Sequence, residues 1–167
     1  MIKNISLIGF MCSGKTTLGR HIAKIKKMSY YDTDKMVVDY AKKSIANIFN
    51  DDGEKYFRVL ESDMLKTLKD VKNSVISCGG GVVLDESNVR LLREISTIVY
   101  LHASVDKIYQ NLGKSNNRPL LQGEDAKAKI SDLLAVRKPI YMKSCHIAID
   151  VTDFSIEKSI AMILKLI

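Results

Sequence analysis

Apolar residues along this chain fall into two alternating kinds of run. Short, nearly continuous runs at Ile2–Ile8, Met28–Tyr31, Val75–Ser77, Ile98–Leu101 and Ile147–Ile149 read as strands buried on both faces. Between them, apolar positions recur every three or four residues, the signature of helices with one inward stripe. Leu18, Ile22 and Ile25 stripe the first helix. A short helix over Ile45–Phe49 precedes the turn cluster Asn50-Asp51-Asp52-Gly53, and Phe57, Leu60, Met64 and Leu68 stripe the next helix, predicted over Phe57–Leu68. Glu86–Glu94 and Val105–Leu112 read as two more. From Ala126 the positions Ile130, Leu133 and Leu134 continue to Arg137, and Pro139 is expected to bend or end that helix before Tyr141. Ile156, Ile160, Ile163, Leu164 and Ile167 stripe a closing helix. Strands alternating with helices at this frequency predict an α/β doubly wound sheet with right-handed crossovers. Ligand sites then belong at the carboxyl ends of the strands.

Composition narrows this picture. With 167 residues, 46% of them hydrophobic, and 2 prolines, the chain can bury one good core, so a single domain is expected. No apolar run approaches bilayer length, and the first is too short and too soon broken by Ser6 and Gly9 for a signal peptide. The expectation is a soluble, untargeted, cytoplasmic protein without a membrane partner. Cys12, Cys78 and Cys145 are far apart and odd in number, which reads as reduced thiols rather than a disulfide or zinc site. A net charge of +7 invites a nucleic-acid reading. The lysines are dispersed, however, with no run of five or six and no interleaved aromatics, so a solvated basic surface that also draws small anions such as ATP fits better.

Chemistry is concentrated where the first strand empties into LIGFMCSGKTT, whose Gly9, Gly14, Lys15 and Thr16 match the phosphate-binding spacing G-x-x-x-x-G-K-[ST]. Its backbone N–H groups, together with the helix N-terminus that follows, form an anion cradle, so Cys12, Ser13, Gly14, Lys15, Thr16 and Thr17 are the predicted nucleotide-binding residues. Lys15 would reach the outer phosphates and the Thr16 hydroxyl a magnesium ion. Cys12 lies just before a helix N-terminus, where thiolates are favoured; it is either an alkylation target or a small filler.

After the second strand, Asp32 and Asp34 stand two apart in extended chain and can both face the crevice. One would hold magnesium through water and the other accept a proton or hydrogen bond from an acceptor hydroxyl; alternatively Asp34 caps a helix beginning at Lys35. No acid follows Val75–Ser77, where a Walker B aspartate would stand, which leaves Asp32 as the available magnesium partner. Gly79-Gly80-Gly81 there leaves backbone N–H groups open to close approach.

Three of the six arginines, Arg58, Arg118 and Arg137, stand out from Arg20, Arg90 and Arg93. Glu61 falls on an inward stripe with Arg58 at i,i+3, which makes Glu61 a candidate orienter of the guanidinium, with Glu54 as rival; a plain surface ion pair is the alternative. Gly113–Gly123 carries Arg118 at its middle and reads as a glycine-hinged lid or as a plain surface loop. Arg137 continues an inward stripe and should reach a ligand or a buried acid. Neither N-K-x-D nor D-x-x-G occurs, which disfavours a GTPase. The residues by themselves point to a phosphoryl transferase whose small, anionic acceptor is held by Arg58 and Arg137. Another small-metabolite kinase or a non-catalytic ATP-binding module are the rivals.

The phosphate loop, Asp32-x-Asp34, Phe57-Arg58-x-x-Glu61, Gly79-Gly80-Gly81, Arg118-Pro119-Leu120-Leu121 and Arg137-x-Pro139-x-Tyr141, in this order, resemble the shikimate kinases over nearly the whole chain. The resemblance implies a P-loop NTPase fold, a three-layer sandwich whose five-stranded parallel sheet has the order 2-3-1-4-5. It also implies transfer of the ATP γ-phosphate to the 3-hydroxyl of shikimate by a monomer. It assigns Asp34 to the substrate hydroxyls, Arg58 and Arg137 to the shikimate carboxylate, and Gly79, Gly80 and Gly81 to ring contacts. Glu61 joins this set, and Phe49 and Phe57 wall the pocket. Lys15 and Arg118 serve the transferred phosphate; Thr16 binds Mg²⁺ directly and Asp32 through water. Residues 33–61 become the substrate-binding region and 112–124 the lid. Where the family often has an Arg before the lid and an Asn-Pro near the last helix, this chain has Gln110-Asn111 and Asp153-Phe154.

Overall fold

The computed structural model of the chain describes residues 4–113 and 125–167. Strands β1 (Asn4–Ile8), β2 (Ser29–Asp32), β3 (Ser74–Ser77), β4 (Ser96–His102) and β5 (Ile147–Asp150) form one sheet in the order β2-β3-β1-β4-β5. All four pairings are parallel. The three inner strands are almost wholly buried and the edges β2 and β5 are not, as expected of a sheet covered on both faces. Helices α1 (Lys15–Lys26), α2 (Thr33–Ala41), α3 (Ile45–Asp51), α4 (Gly53–Lys66), α5 (Glu86–Ile95), α6 (Val105–Leu112), α7 (Ala126–Ser144) and α8 (Ile156–Leu166) complete it, with a 3-10 turn at Val82–Leu84.

From β1 the chain crosses through α1 to the β2 side of the sheet, and from β3 it crosses back through α5 to β4. Right-handed crossovers in opposite directions put α1 and α5 on opposite faces. They also make the gap between the carboxyl ends of β1 and β3 the point where a ligand crevice opens. At the other end of these strands Asn4 acts as a strap: its Nδ2 donates to the carbonyls of Val71 (2.7 Å) and Ile95 (3.1 Å), and its Oδ1 accepts from the Ser74 N–H (3.0 Å). Beside the main core under the sheet lies a second apolar cluster, Val37, Ile48, Phe57 and Leu60, which locks α2, α3 and α4 together.

Several boundaries differ from those read in the sequence. Helix α2 begins at Thr33, not Lys35, and its cap is Asp32, whose Oδ1 accepts from the Lys35 N–H at 3.2 Å. Asp34 therefore sits inside the first turn. The four-residue turn cluster shrinks to a junction at Asp52, because α3 runs through Asp51 and α4 starts at Gly53, which supplies the positive φ of 85° needed there. Helix α7 does not end at Pro139 but continues to Ser144. Pro139 and Ala135, the residue whose carbonyl it leaves without a helical donor, are both exposed, so water can take that carbonyl. Ile25, Ile156 and Ile167, expected on inward stripes, are exposed.

Candidate active site

The predicted phosphate loop folds as a loop of left-handed turns between β1 and α1. Gly9, Cys12 and Gly14 all have positive φ, of 147°, 61° and 94°. At Gly9 a side chain is impossible, since a Cβ would stand 2.6 Å from the Leu101 carbonyl oxygen. Lys15 is buried, and its ammonium donates to the carbonyls of Gly9 (2.9 Å) and Phe10 (2.7 Å), which holds its charge at the centre of the loop. The Ser77 hydroxyl donates to the Lys15 carbonyl at 3.0 Å and ties the start of α1 to the end of β3.

Thr16 and Asp32 meet beside the loop. The Thr16 hydroxyl donates to Asp32 Oδ2 at 3.0 Å, and the Tyr30 hydroxyl donates to the same oxygen at 3.2 Å. Asp32 thus serves both as helix cap and as the acid beside the loop's hydroxyl.

The acceptor side is built around the glycine triplet at the end of β3. Its carbonyls are committed: Gly79 to the Val82 N–H (3.2 Å), Gly81 to the Leu84 N–H (2.9 Å) and Gly80 to the Tyr141 hydroxyl (2.5 Å). The Gly79 N–H donates to the buried Thr33 hydroxyl at 2.8 Å. Among the described residues this leaves the Gly80 and Gly81 N–H groups as the donors the triplet can offer a ligand. A Cβ on Gly79 would collide with the carboxylates of both Glu61 and Asp34 (2.5 Å from its Oδ1), and one on Gly81 with the Arg58 guanidinium. Those three charged groups therefore lie flat against the glycine backbone.

Arg58 bridges two acids on α4, donating from Nη1 to Glu61 and from Nη2 to Glu54, each at 2.8 Å. Both partners weighed in the sequence reading are thus engaged, but unequally. Glu54 is exposed, while Glu61 is 1% exposed and its Oε1 has no hydrogen-bond partner among the described residues. Burial pushes the Glu61 carboxyl up to about 6, against the pull of Arg58; Asp34 adds to the rise and Arg137 subtracts from it. On Arg58 burial works against the charge, but Glu61 and Glu54 outweigh it and hold the guanidinium protonated. Arg137 on α7 places its guanidinium 5.8 Å from the centre of the Phe10 ring, at the edge of the phosphate loop. Phe49 and Phe57 pack ring to ring, with centroids 4.9 Å apart, and the Phe57 ring in turn underlies Arg58.

A cavity of about 560 Å³ is lined by Cys12–Leu18, Asp32, Asp34, Cys78 and Gly80, whereas Arg58, Glu61, Arg137, Phe49 and Phe57 are not part of its lining. Its far end is closed by Lys107, Asn111, Phe154 and Ser155, near the positions expected to face the nucleobase. The phosphate loop and Asp34 therefore open onto one space. Arg118 and the rest of 114–124 lie outside the described residues. Sequence patterns give no functional signal for Thr33, Ser77 and Lys107, which lie at the site. Asn111 donates from α6 to the Cys12 carbonyl at 2.9 Å, so the phosphate loop is pinned by a residue 99 positions away, for which no local pattern gives a signal.

Comparison with known proteins agrees with this geometry. The family model described as shikimate kinase matches residues 11–167. A shikimate kinase of Caldanaerobacter subterraneus subsp. tengcongensis is 43% identical over 157 residues, spanning 94% of this chain and 91% of its own length. That of Caldicellulosiruptor saccharolyticus is 41% identical over 165 residues, spanning 99% and 95%. Among solved structures, shikimate kinase from Acinetobacter baumannii in complex with shikimate superposes with a TM-score of 0.94 at 34% identity, covering 99% of this chain and 93% of that one.

Proposed function

This chain belongs to the shikimate kinase family, and we propose from that premise the part each of its residues plays. It is an ATP-dependent kinase that transfers a phosphoryl group to a hydroxyl of shikimate. The hydroxyl we assign is the 3-hydroxyl. The observation that carries the kinase reading is the shared cavity, whose lining includes both the phosphate loop and Asp34, as transfer between two bound substrates requires.

Phosphoryl transfer needs alignment and charge neutralisation more than covalent chemistry. Lys15 and the N–H groups of Cys12–Thr17 hold the nucleotide phosphates, with Lys15 exchanging its loop carbonyls for phosphate oxygens. Arg118, placed by sequence alone, adds positive charge to the transferred group. Asp34 accepts the proton of the attacking hydroxyl. Arg58 and Arg137 grip the shikimate carboxylate, Gly79, Gly80 and Gly81 contact the ring through the backbone, and Glu61 sets the direction of the Arg58 fork. Phe49 and Phe57 form the apolar wall of this acceptor region, which spans residues 33–61 of a single-domain, monomeric, cytoplasmic enzyme. Among the described residues no helix is long and apolar enough to cross a membrane.

The Thr16 hydroxyl and Asp32 carboxylate, hard oxygen donors 3.0 Å apart beside the phosphate cradle, suit Mg²⁺ held directly by the first and through water by the second. Bound there, Mg²⁺ would neutralise phosphate charge. A coupled assay of ADP release with and without shikimate tests the reading: release that depends on shikimate supports it, and equal release in both refutes it.

A further inference from the structure

We infer that Tyr141 is a positioning residue for the acceptor site, holding the Gly80 carbonyl so that the glycine triplet and Arg137 keep a fixed spacing. The inference rests on the function proposed above and adds to it a fully buried residue outside the cavity lining.

The Tyr141 side chain is fully buried, and its hydroxyl donates to the Gly80 carbonyl across 61 residues of sequence. Within one planar trans peptide the Gly80 C=O and the Gly81 N–H point in opposite directions, so fixing the carbonyl also fixes that N–H. This matters at a glycine pair, because the backbone has no side chains of its own to hold it in one conformation. The Gly81 N–H is one of the two donors the triplet can offer, and Arg58 lies against the same residue.

The other end of the clamp is equally constrained. Tyr141 stacks on Tyr100, with ring centroids 5.0 Å apart and planes 22° from parallel. Tyr100 is itself buried in β4, in register with Ile8 at the foot of the phosphate loop, and its hydroxyl meets His102 Nδ1 at 3.2 Å. The phenol therefore stands on the central sheet and has little freedom to follow a moving loop. Arg137 lies four residues before Tyr141 on the same face of α7. One hydrogen bond thus couples the helix that carries a carboxylate-binding guanidinium to the backbone proposed to receive the ring. Because α7 continues through Pro139, Arg137 and Tyr141 belong to one helix.

Tyr141→Phe tests the inference, since it keeps every ring atom and the stack and removes only the hydroxyl. With the Gly80 carbonyl unpartnered, we expect the KM for shikimate to rise about tenfold, with the KM for ATP and kcat each changed by less than about threefold. Calorimetric titration of shikimate into the same variant should show a matching loss of affinity. A hydroxyl that serves packing alone would lower Tm and leave the split between the two KM values untouched. That result, or an equal rise in both KM values, overturns the inference. Should wild-type ADP release prove independent of shikimate, the proposed function fails instead, so the two failures are read from different proteins.

Discussion

Arg58 shows how residue type, not only charge, decides the site. Its fork is already engaged by Glu61 and Glu54, and its guanidinium lies flat on Gly81. A lysine at this position keeps the charge but cannot span two acids and a ligand carboxylate. Arg58→Lys should raise the shikimate KM by roughly tenfold or more and leave the ATP KM within about twofold, as measured by initial rates against each substrate. Glu61 adds a pH dependence. Its carboxyl is raised from 4.5 to about 6, so its contribution to stability is present below 4.5 and lost as pH rises through about 6. Carrying the charge above that pH costs on the order of 2 kcal/mol. The Tm of Glu61→Gln relative to wild type should therefore be higher at roughly pH 7 than at roughly pH 5. The same charge holds Arg58, so the wild-type shikimate KM should climb as pH falls through about 6, a step the Gln variant lacks. Part of this was legible: the i,i+3 spacing named the pair, while the helix alone fits an exposed pair as well as a buried one. What spacing along one helix does not contain is that the pair lies on Gly79 and Gly81, because that contact is made by β3 and by the turn after it.

Elements position these residues, and α2 does so through its cap. Asp32 accepts from the Lys35 N–H with one oxygen and from Thr16 and Tyr30 with the other, so two jobs rest on a single carboxylate. Substitution can separate them. Asn caps nearly as well as Asp but carries no charge, so Asp32→Asn should keep Tm within a degree or so while raising the Mg²⁺ concentration for half-maximal rate. Asp32→Ala should lose about 1 kcal/mol of stability as well, measured by denaturant melts. A Tm loss in the Asn variant equal to that of Ala would show the charge, not the cap, to be structural. The capping alternative for Asp34 implies a helix start at Lys35; the cap is instead Asp32, one residue before a helix that starts at Thr33. Of the two outcomes expected at Pro139, a bend or an end, the end does not occur, since α7 runs on to Ser144. Exposure of Ala135 lets water take the carbonyl that the proline leaves without a helical donor.

At the scale of the molecule the sheet was the most legible part. Inner strands covered on both faces appear in sequence as short continuous apolar runs, and Ile5, Leu7, Ile8, Val75, Ile76, Ile98 and Val99 are all buried as those runs imply. The separate cluster of Val37, Ile48, Phe57 and Leu60 was not legible as such, because its members are spread over three helices whose stripes look like those of any core helix. Its separation from the main core gives the acceptor region a foundation of its own. Ile48→Ala should cost about 2–4 kcal/mol in chemical denaturation, and shikimate KM should rise while ATP KM holds, since the cluster supports α2 to α4 and not the phosphate loop. A parallel rise of both constants would show the two regions to be one mechanical unit.

The two crowded glycines at 79 and 81 limit how this enzyme can change. A boundary made of bare backbone pressed against three charged groups cannot be remodelled by small steps, since even one methyl group collides there. Any drift toward a larger or smaller acceptor must be absorbed elsewhere around the ring, and half-buried Phe49 has the room to vary that the triplet lacks. For anyone redesigning the acceptor, Phe49 is the adjustable part and the glycines are the fixed gauge.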